Sequence, residues 1–241
     1  MENNSWENFW KNHASNFDTV MYKATQCFAE RYLKKFPIKA GDRLLDFGCG
    51  PGFFLQFIPK DISFALGVDI SQKYVDVCKT TFKNNSNFLF EVNKVYQFEE
   101  LKKNIAFHNI NKIVVLSVFQ YYPSTLEVEK FLNILTDKAF KDKKIELVIA
   151  DILPPKHNLL KDVKDIAIYS LKNRYFFDFI KFAFHTAFSK YNAKDSAALL
   201  KISPLFFKAY AEKNGLNYKV INDLTLHSGR YTVQIDFNSH I

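Results

Sequence analysis

Apolar positions along the chain follow first a helical period and then a strand and helix alternation. Trp6, Phe9 and Trp10 fall on one helical face, and Phe17, Tyr22, Phe28, Tyr32 and Phe36 make a second amphipathic run that ends at Pro37. Apolar residues three to four apart predict helices, so residues 5–36 are predicted as two helices. Five short apolar runs follow: DRLLDFG, FALGVDIS, NFLFEVN, KIVVLSV and KIELVIADI. Each has the length and composition of a strand. Helices are predicted at residues 52–58, stopped near Pro59, at 72–82 behind a Ser71 cap, and at 124–139. SPLFFKAYAEKNG reads as a helix with Ser203 as cap, Pro204 at its first position and Gly215 just past its end. LNYKVIND and RYTVQIDF predict two closing strands. The link between them, around TLHSG, is too short for a crossover helix, so they are predicted to pair antiparallel. Five strands interleaved with helices predict a parallel, doubly wound sheet covered on both faces.

Residues 154–202 interrupt this alternation. Nine aromatics lie from Tyr169 to Tyr191, with Lys172, Arg174, Lys181 and Lys190 among them and Lys164 just before. Phe176, Phe179, Ile180, Ala183 and Ala187 form one helical stripe, and Phe177, Phe184, Phe188 and Tyr191 a second. A helix that is apolar on two sides needs two surfaces to bury against. One is the domain. The other is the N-terminal helices, an acceptor, a second subunit or a lipid surface. The chain thus divides, within a single domain, into a helical cover (1–40), a core (41–153), a helical insertion (154–202) and a closing helix with its strand pair (203–241).

Composition narrows the setting. Of the 241 residues, 48% are hydrophobic and 17% aromatic, enough for a large core. No stretch approaches the roughly 20 apolar residues that span a bilayer. The opening MENNSWENFW lacks the basic start and apolar run of a secretory leader. Cys27, Cys49 and Cys78 are odd in number and lack metal-ligand spacing, so no metal is predicted and a reducing cytoplasm is. The net charge is +8, yet only four of the 33 basic residues are Arg. Base-reading and phosphate-clamping surfaces favour Arg for its planar fork. Basic charge alone indicates only nonspecific attraction to anions, so a nucleic-acid partner is not expected.

The chemistry concentrates in LLDFGCGPGFF, residues 44–54, which holds three of the seven glycines. In a doubly wound sheet ligands bind at the first strand-to-helix turn, where glycine permits positive φ and close approach to the backbone. The spacing Gly48-x-Gly50-x-Gly52 departs from the dinucleotide fingerprint, which wants its third glycine at the Phe53 position. Asp46 precedes the turn by two residues. A carboxylate there repels a pyrophosphate and welcomes a cationic ligand.

LLDFGCGPG resembles the first motif of the S-adenosylmethionine-dependent methyltransferases with the Rossmann-like, seven-stranded class I fold. LGVDIS resembles the second, with Asp69 at the strand end where the family places an acid on the ribose hydroxyls. NFLFEVNK resembles the third, with Asn93 where an acid near the adenine amine is usual. IVVLSVFQYYPS resembles the fourth strand and the loop that lines the methyl-transfer site. The resemblance covers residues 42–237 apart from the insertion. It implies S-adenosyl-L-methionine as cofactor, against Asp46, Gly48, Cys49, Gly50, Gly52, Asp69, Ile70, Asn93, Ser117 and Val118. It also implies an antiparallel last strand, and an insertion after strand 5 that caps the acceptor pocket.

Methyl transfer needs positioning first and a base only for a poorly ionised acceptor. Candidates for such a base are His185, Tyr121 and His157. Candidates for acceptor contact are Gln120, Tyr121, Tyr175, Phe176 and His185. The fourth-strand loop lacks the Asn/Asp-Pro-Pro-aromatic run of enzymes that methylate base amines. The expected function is methylation of a small or medium, largely apolar molecule, aromatic or acyl-chain-like, with peripheral lipid contact left open. The alternatives are an RNA- or ribosome-directed methyltransferase and a non-catalytic cofactor-binding partner subunit. Oligomeric state is left open.

Overall fold

The computed structural model describes residues 15–94, 96–188 and 199–237, with the side chains of 15–18, 182 and 184–188 outside the description. Trp6, Phe9, Trp10 and Tyr191 therefore lie outside the described residues. The order is α1 (Ser15–Lys35), β1 (Arg43–Phe47), β2 (Phe64–Asp69), α2 (Gln72–Thr81), β3 (Phe88–Val92), α3 (Phe98–Phe107), β4 (Lys112–Leu116), α4 (Thr125–Leu135), β5 (Ile145–Ile152), α5 (Leu159–Lys172), α6 (Phe176–Phe188), α7 (Pro204–Lys213), β6 (Asn217–Ile221) and β7 (Tyr231–Phe237).

The strands form one seven-stranded sheet in the order β3-β2-β1-β4-β5-β7-β6. Strands β1 to β5 are parallel, and β7 runs antiparallel to both β5 and β6. The order reverses between β1 and β4, so a crevice opens beyond the carboxyl ends of these two strands. Leu44, Leu45, Ile113, Val114 and Val115 are buried because helices cover both faces of the sheet. On one face α4 and α7 supply Phe131 and Phe207, and on the other α1 and α2 supply Phe28, Tyr32 and Cys78.

Two predicted helices are shorter than expected. The helix predicted at 52–58 is a single 3-10 turn, Phe54–Gln56. Gly52 has φ +77, which breaks helical geometry at its start, and the rings of Phe28 and Tyr32 on α1 fix Phe54 from above. The helix predicted at 124–139 ends at Leu135, and Asp137 caps a separate 3-10 turn, Lys138–Phe140. Helix α3 was not predicted. Its Phe98, Leu101 and Ile105 are buried at helical spacing. The caps at Ser71 and Ser203 form as expected, accepting the backbone N–H groups of Tyr74 and Leu205. Among the described residues no helix is long and apolar enough to cross a membrane.

Candidate cofactor and acceptor cleft

The cleft lies where the strand order reverses. Its walls come from the turns after β1, β2, β3 and β4, and α1 closes it with Met21. Of the residues expected to hold the cofactor, Gly48, Gly50, Asp69, Ile70, Asn93, Ser117 and Val118 line this cleft. Asp46, Cys49 and Gly52 do not line it.

The three turn glycines serve different ends, although all have positive φ. A Cβ on Gly48 would meet Val118 Cγ2 at 2.3 Å, so this glycine lets the β1 and β4 turns touch. A Cβ on Gly52 would meet Cys78 Sγ at 2.9 Å, so that glycine seats the turn on α2. Nothing lies within 4 Å of a Cβ on Gly50. Its backbone faces open space in the cleft wall, where a ligand can come close. Cys49 is buried, and its Sγ lies 3.1 Å from where a Cβ on Gly67 would sit, so its side chain packs into the sheet.

Asp69 accepts the backbone N–H of Gly50 at 2.9 Å and that of Ser71 at 2.8 Å, one on each carboxylate oxygen. It therefore ties the first turn to the second and holds Ser71, the cap of α2. Each oxygen keeps a lone pair for a ligand hydroxyl. Burial raises its carboxyl above the usual range, against the lowering effect of the N–H groups of Ser71, Gly50 and Ile70. Asp69→Ala is expected to weaken S-adenosylhomocysteine binding by roughly 1.5–3 kcal/mol, the worth of hydrogen bonds to a charged group. It should also lower the melting temperature, since two backbone donors lose their acceptor. Calorimetry and a thermal melt on one preparation check both.

Asp46 lies beneath the turn. It is 2% exposed, and Oδ2 has no hydrogen-bond partner. Burial, and then repulsion from Asp69, push its carboxyl up to about 8. The raised value favours the protonated form of this acid at pH 7. Because the folded value is raised, the group stabilises the fold fully below its unfolded value of about 3.9, and that stability is lost as pH rises toward 8. A cation entering the cleft favours the charged form. Cofactor binding at pH 7 is thus expected to release a proton, seen as a binding enthalpy that changes with buffer ionisation heat. Asp46→Asn should abolish that dependence. Equal proton release in wild type and variant would contradict this role.

A second cluster sits beside the β4 turn. Ser117 and Asp151, at the ends of β4 and β5, both have positive φ, +57 and +67. The Ser117 hydroxyl donates to Asp151 Oδ2 at 2.6 Å. Arg230 Nη1 donates to the same oxygen at 2.6 Å, while Nη2 and Nε donate to Asp162 Oδ2 at 2.6 and 3.0 Å. His157 Nε2 lies 2.7 Å from Asp162 Oδ2, and Arg230 Nη1 also reaches Gln120 Oε1 at 3.4 Å. Burial alone would raise the Asp151 carboxyl, but Arg230, His227 and Ser117 together hold it below the usual carboxylate range. Burial pushes the His227 imidazole below its usual range. This cluster clamps the start of α5 to the ends of β5 and β7.

Among the acceptor-side and base candidates, Tyr121 lines the cleft. Gln120 is buried against Arg230. His157 is engaged by Asp162, away from the cleft wall. Tyr175 packs edge-on against Tyr169 near Cys27 of α1, and Phe176 packs on Phe179. The His185 side chain lies outside the described residues. Among the described residues of the insertion, none lines the cleft. The insertion lies over α1, and α1 in turn contributes Met21. Sequence reasoning missed Met21, Tyr74, Tyr96 and Tyr122 in the wall, and the Asp151–Arg230–Asp162 cluster.

Residues 45–133, from β1 through the glycine turn to α4, match the profile of the family described as "Methyltransferase domain". Residues 45–133 are by that match a methyltransferase domain, and the fold around them is that of the class I, S-adenosylmethionine-dependent methyltransferases. Ribosomal protein L11 methyltransferase of Thermotoga neapolitana is 27% identical over 153 residues, covering 61% of this chain and 50% of that protein. The chain thus spans about half the length of the curated relatives it matches. Among solved structures, the methyltransferase domain of bacterial CtHen1 is similar in fold, with a TM-score of 0.54 at 12% identity over 92% of this chain and 100% of that one. Magnesium protoporphyrin IX methyltransferase from Synechocystis PCC 6803, solved with bound SAM, also reaches a TM-score of 0.54 at 12% identity, over 95% of this chain and 86% of that one.

Proposed function

We propose that this protein transfers the methyl group of S-adenosylmethionine to a small or medium, largely apolar acceptor of aromatic or acyl-chain type. The observation that carries the reading is the cleft wall. Beside the turn residues it is built from Phe47, Tyr74, Tyr96, Tyr121 and Tyr122, and its charged side chains are Asp69 and Lys94. Such a wall favours apolar and planar ligands.

The cofactor supplies a methyl carbon already activated by its sulfonium. The chain's own part is placement. Gly50 lets the ligand approach the protein backbone, and Asp69 and Asn93 offer acceptors at the ends of β2 and β3. Val118 and Tyr121 shape the side nearest β4, and Met21 helps exclude water. Positioning of this kind is worth about 7–11 kcal/mol of a bimolecular barrier. Burial raises the Tyr121 phenol above its usual range, so it acts as a neutral group at pH 7.

A ribosomal-protein acceptor is the second reading, favoured by the name of the Thermotoga neapolitana relative. Against a nucleic-acid acceptor, three of the four arginines are committed elsewhere. Arg31 donates to the carbonyls of Asp223 and Thr225, Arg43 to that of His108, and Arg230 to Asp151 and Asp162. A cytoplasmic setting belongs to the same proposal and agrees with three buried free cysteines. The test is incubation of the protein with methyl-labelled cofactor and a fractionated cell extract. Label in the organic-extractable small-molecule fraction supports the proposal. Label in ribosomal protein or RNA supports the second reading, and binding without turnover points to a partner subunit.

A further inference from the structure

Helix α5 is inverted relative to an ordinary surface helix, which turns its apolar stripe to the core and its polar face to water. Its inward face carries Asp162 and Ser170, at 2% and 0% exposure. Its outward face carries Leu160 at 78%, Leu171 at 59% and Val163 at 44%. These three stack on one side of the helix by their spacing. Just beyond the following turn, Phe177 is 82% exposed. Single exposed apolar residues are ordinary, but a contiguous set marks an interaction surface.

The charge around this stripe has one sign. Lys164 and Lys172 of α5 are exposed, as is Arg174 in the next turn, while the Lys161 ammonium donates to the Ser228 carbonyl at 3.2 Å. The two acids of α5 are drawn to the protein side. Asp162 is held by Arg230, and Asp165 accepts the Ser228 backbone N–H and hydroxyl at 2.7 and 2.8 Å. The outward face therefore presents apolar groups and cations with no exposed acid.

We propose that the outward face of α5, with Phe177, docks on an anionic lipid bilayer. The charge decides the occupant. A second copy of the chain would set lysines against lysines, within a chain whose net charge is already +8. A bilayer with anionic headgroups satisfies both parts of the face at once. Leucine and phenylalanine enter the headgroup and acyl boundary, while lysine stems lie along it and their ammonium groups reach phosphate. The buried Arg230–Asp162 pair holds α5 to the domain, so the face is carried rigidly. This docking does not rest on the identity of the acceptor, because it concerns where the protein sits.

The test is co-sedimentation of the full chain with phosphatidylcholine vesicles, with and without phosphatidylglycerol. Binding is expected to require phosphatidylglycerol and to weaken with added salt. Replacing Lys164, Lys172 and Arg174 together with Gln should weaken it by roughly 100-fold. Leu160→Ser with Leu171→Ser should weaken it by about tenfold or more. Both variants should keep wild-type melting temperature and S-adenosylhomocysteine affinity, which separates lost docking from lost folding. No sedimentation with anionic vesicles, or undiminished binding by both variants, would overturn the proposal. So would a wild-type dimer that the leucine variant converts to monomer.

Discussion

Gly48→Ala is expected to cripple both fold and cofactor binding, whereas Gly50→Ala should cost the fold only its backbone strain and act mainly on binding. Both residues have positive φ, +78 and +51, so alanine at either costs about 1–2 kcal/mol in backbone strain. The two differ in surroundings. At Gly48 the new methyl falls 2.3 Å from Val118 Cγ2, and relief requires repacking of a β-branched residue at the end of β4. Overpacking of that kind costs a further 1–3 kcal/mol or so. Together these should lower the melting temperature by roughly 5–20 °C. At Gly50 the methyl meets nothing within 4 Å and instead occupies space that a ligand needs. A thermal melt and a titration of each variant separate the two roles. Equal stability losses would contradict the assignment of Gly50 as the open position of the turn.

Arg230→Met is expected to be comparably severe, though it lies outside the cleft. It strips the partner from two buried carboxylates, Asp151 and Asp162, and breaking a buried ion pair on one side costs about 3–5 kcal/mol. Replacing Asp151 and Asp162 with Leu as well should recover part of that loss, since no buried carboxylate is then left without its arginine, although the Ser117 hydroxyl and His157 lose their partners. The pH dependence has a definite sign. Asp151 is held below the usual carboxylate range in the folded state. Its contribution is complete above the unfolded value of about 3.9 and is lost as pH falls through the lower folded value. The gap in melting temperature between wild type and Arg230→Met should therefore narrow toward pH 3. A gap independent of pH would mean that the arginine acts by packing rather than charge.

What could be read from the sequence was local. The glycine turn, the acids ending β1 and β2, the Ser71 and Ser203 caps and the seven strands each announce themselves within a few residues. The antiparallel last strand followed from the shortness of one loop. The misses are long-range. Arg230 pairs with residues 79 and 68 positions away, and no periodicity marks such a pairing. A signal did exist: Asp151 lies near the end of β5 as Asp46 lies near the end of β1, Asp69 ends β2, and Arg230 is one of only four arginines. Met21 reaches the cleft because α1 folds over the 3-10 turn through Tyr22 on Phe53 and Phe57, a docking that its amphipathic pattern does not specify. The insertion was legible as helical and doubly apolar. Which side faces out was not, because Asp162 and Asp165 look like surface residues until Arg230 and Ser228 are seen beside them.

The central claim is that the crevice between β1 and β4 holds S-adenosylmethionine on the Gly50 backbone and the Asp69 carboxylate. Isothermal titration of the wild-type chain with S-adenosylhomocysteine, and with NAD as control, tests it most directly. The account predicts one-to-one binding of the sulfur nucleoside, no heat from NAD, and affinity weakened about tenfold or more by Asp69→Ala. No binding of S-adenosylhomocysteine at millimolar concentration, or tighter binding of NAD, would contradict it.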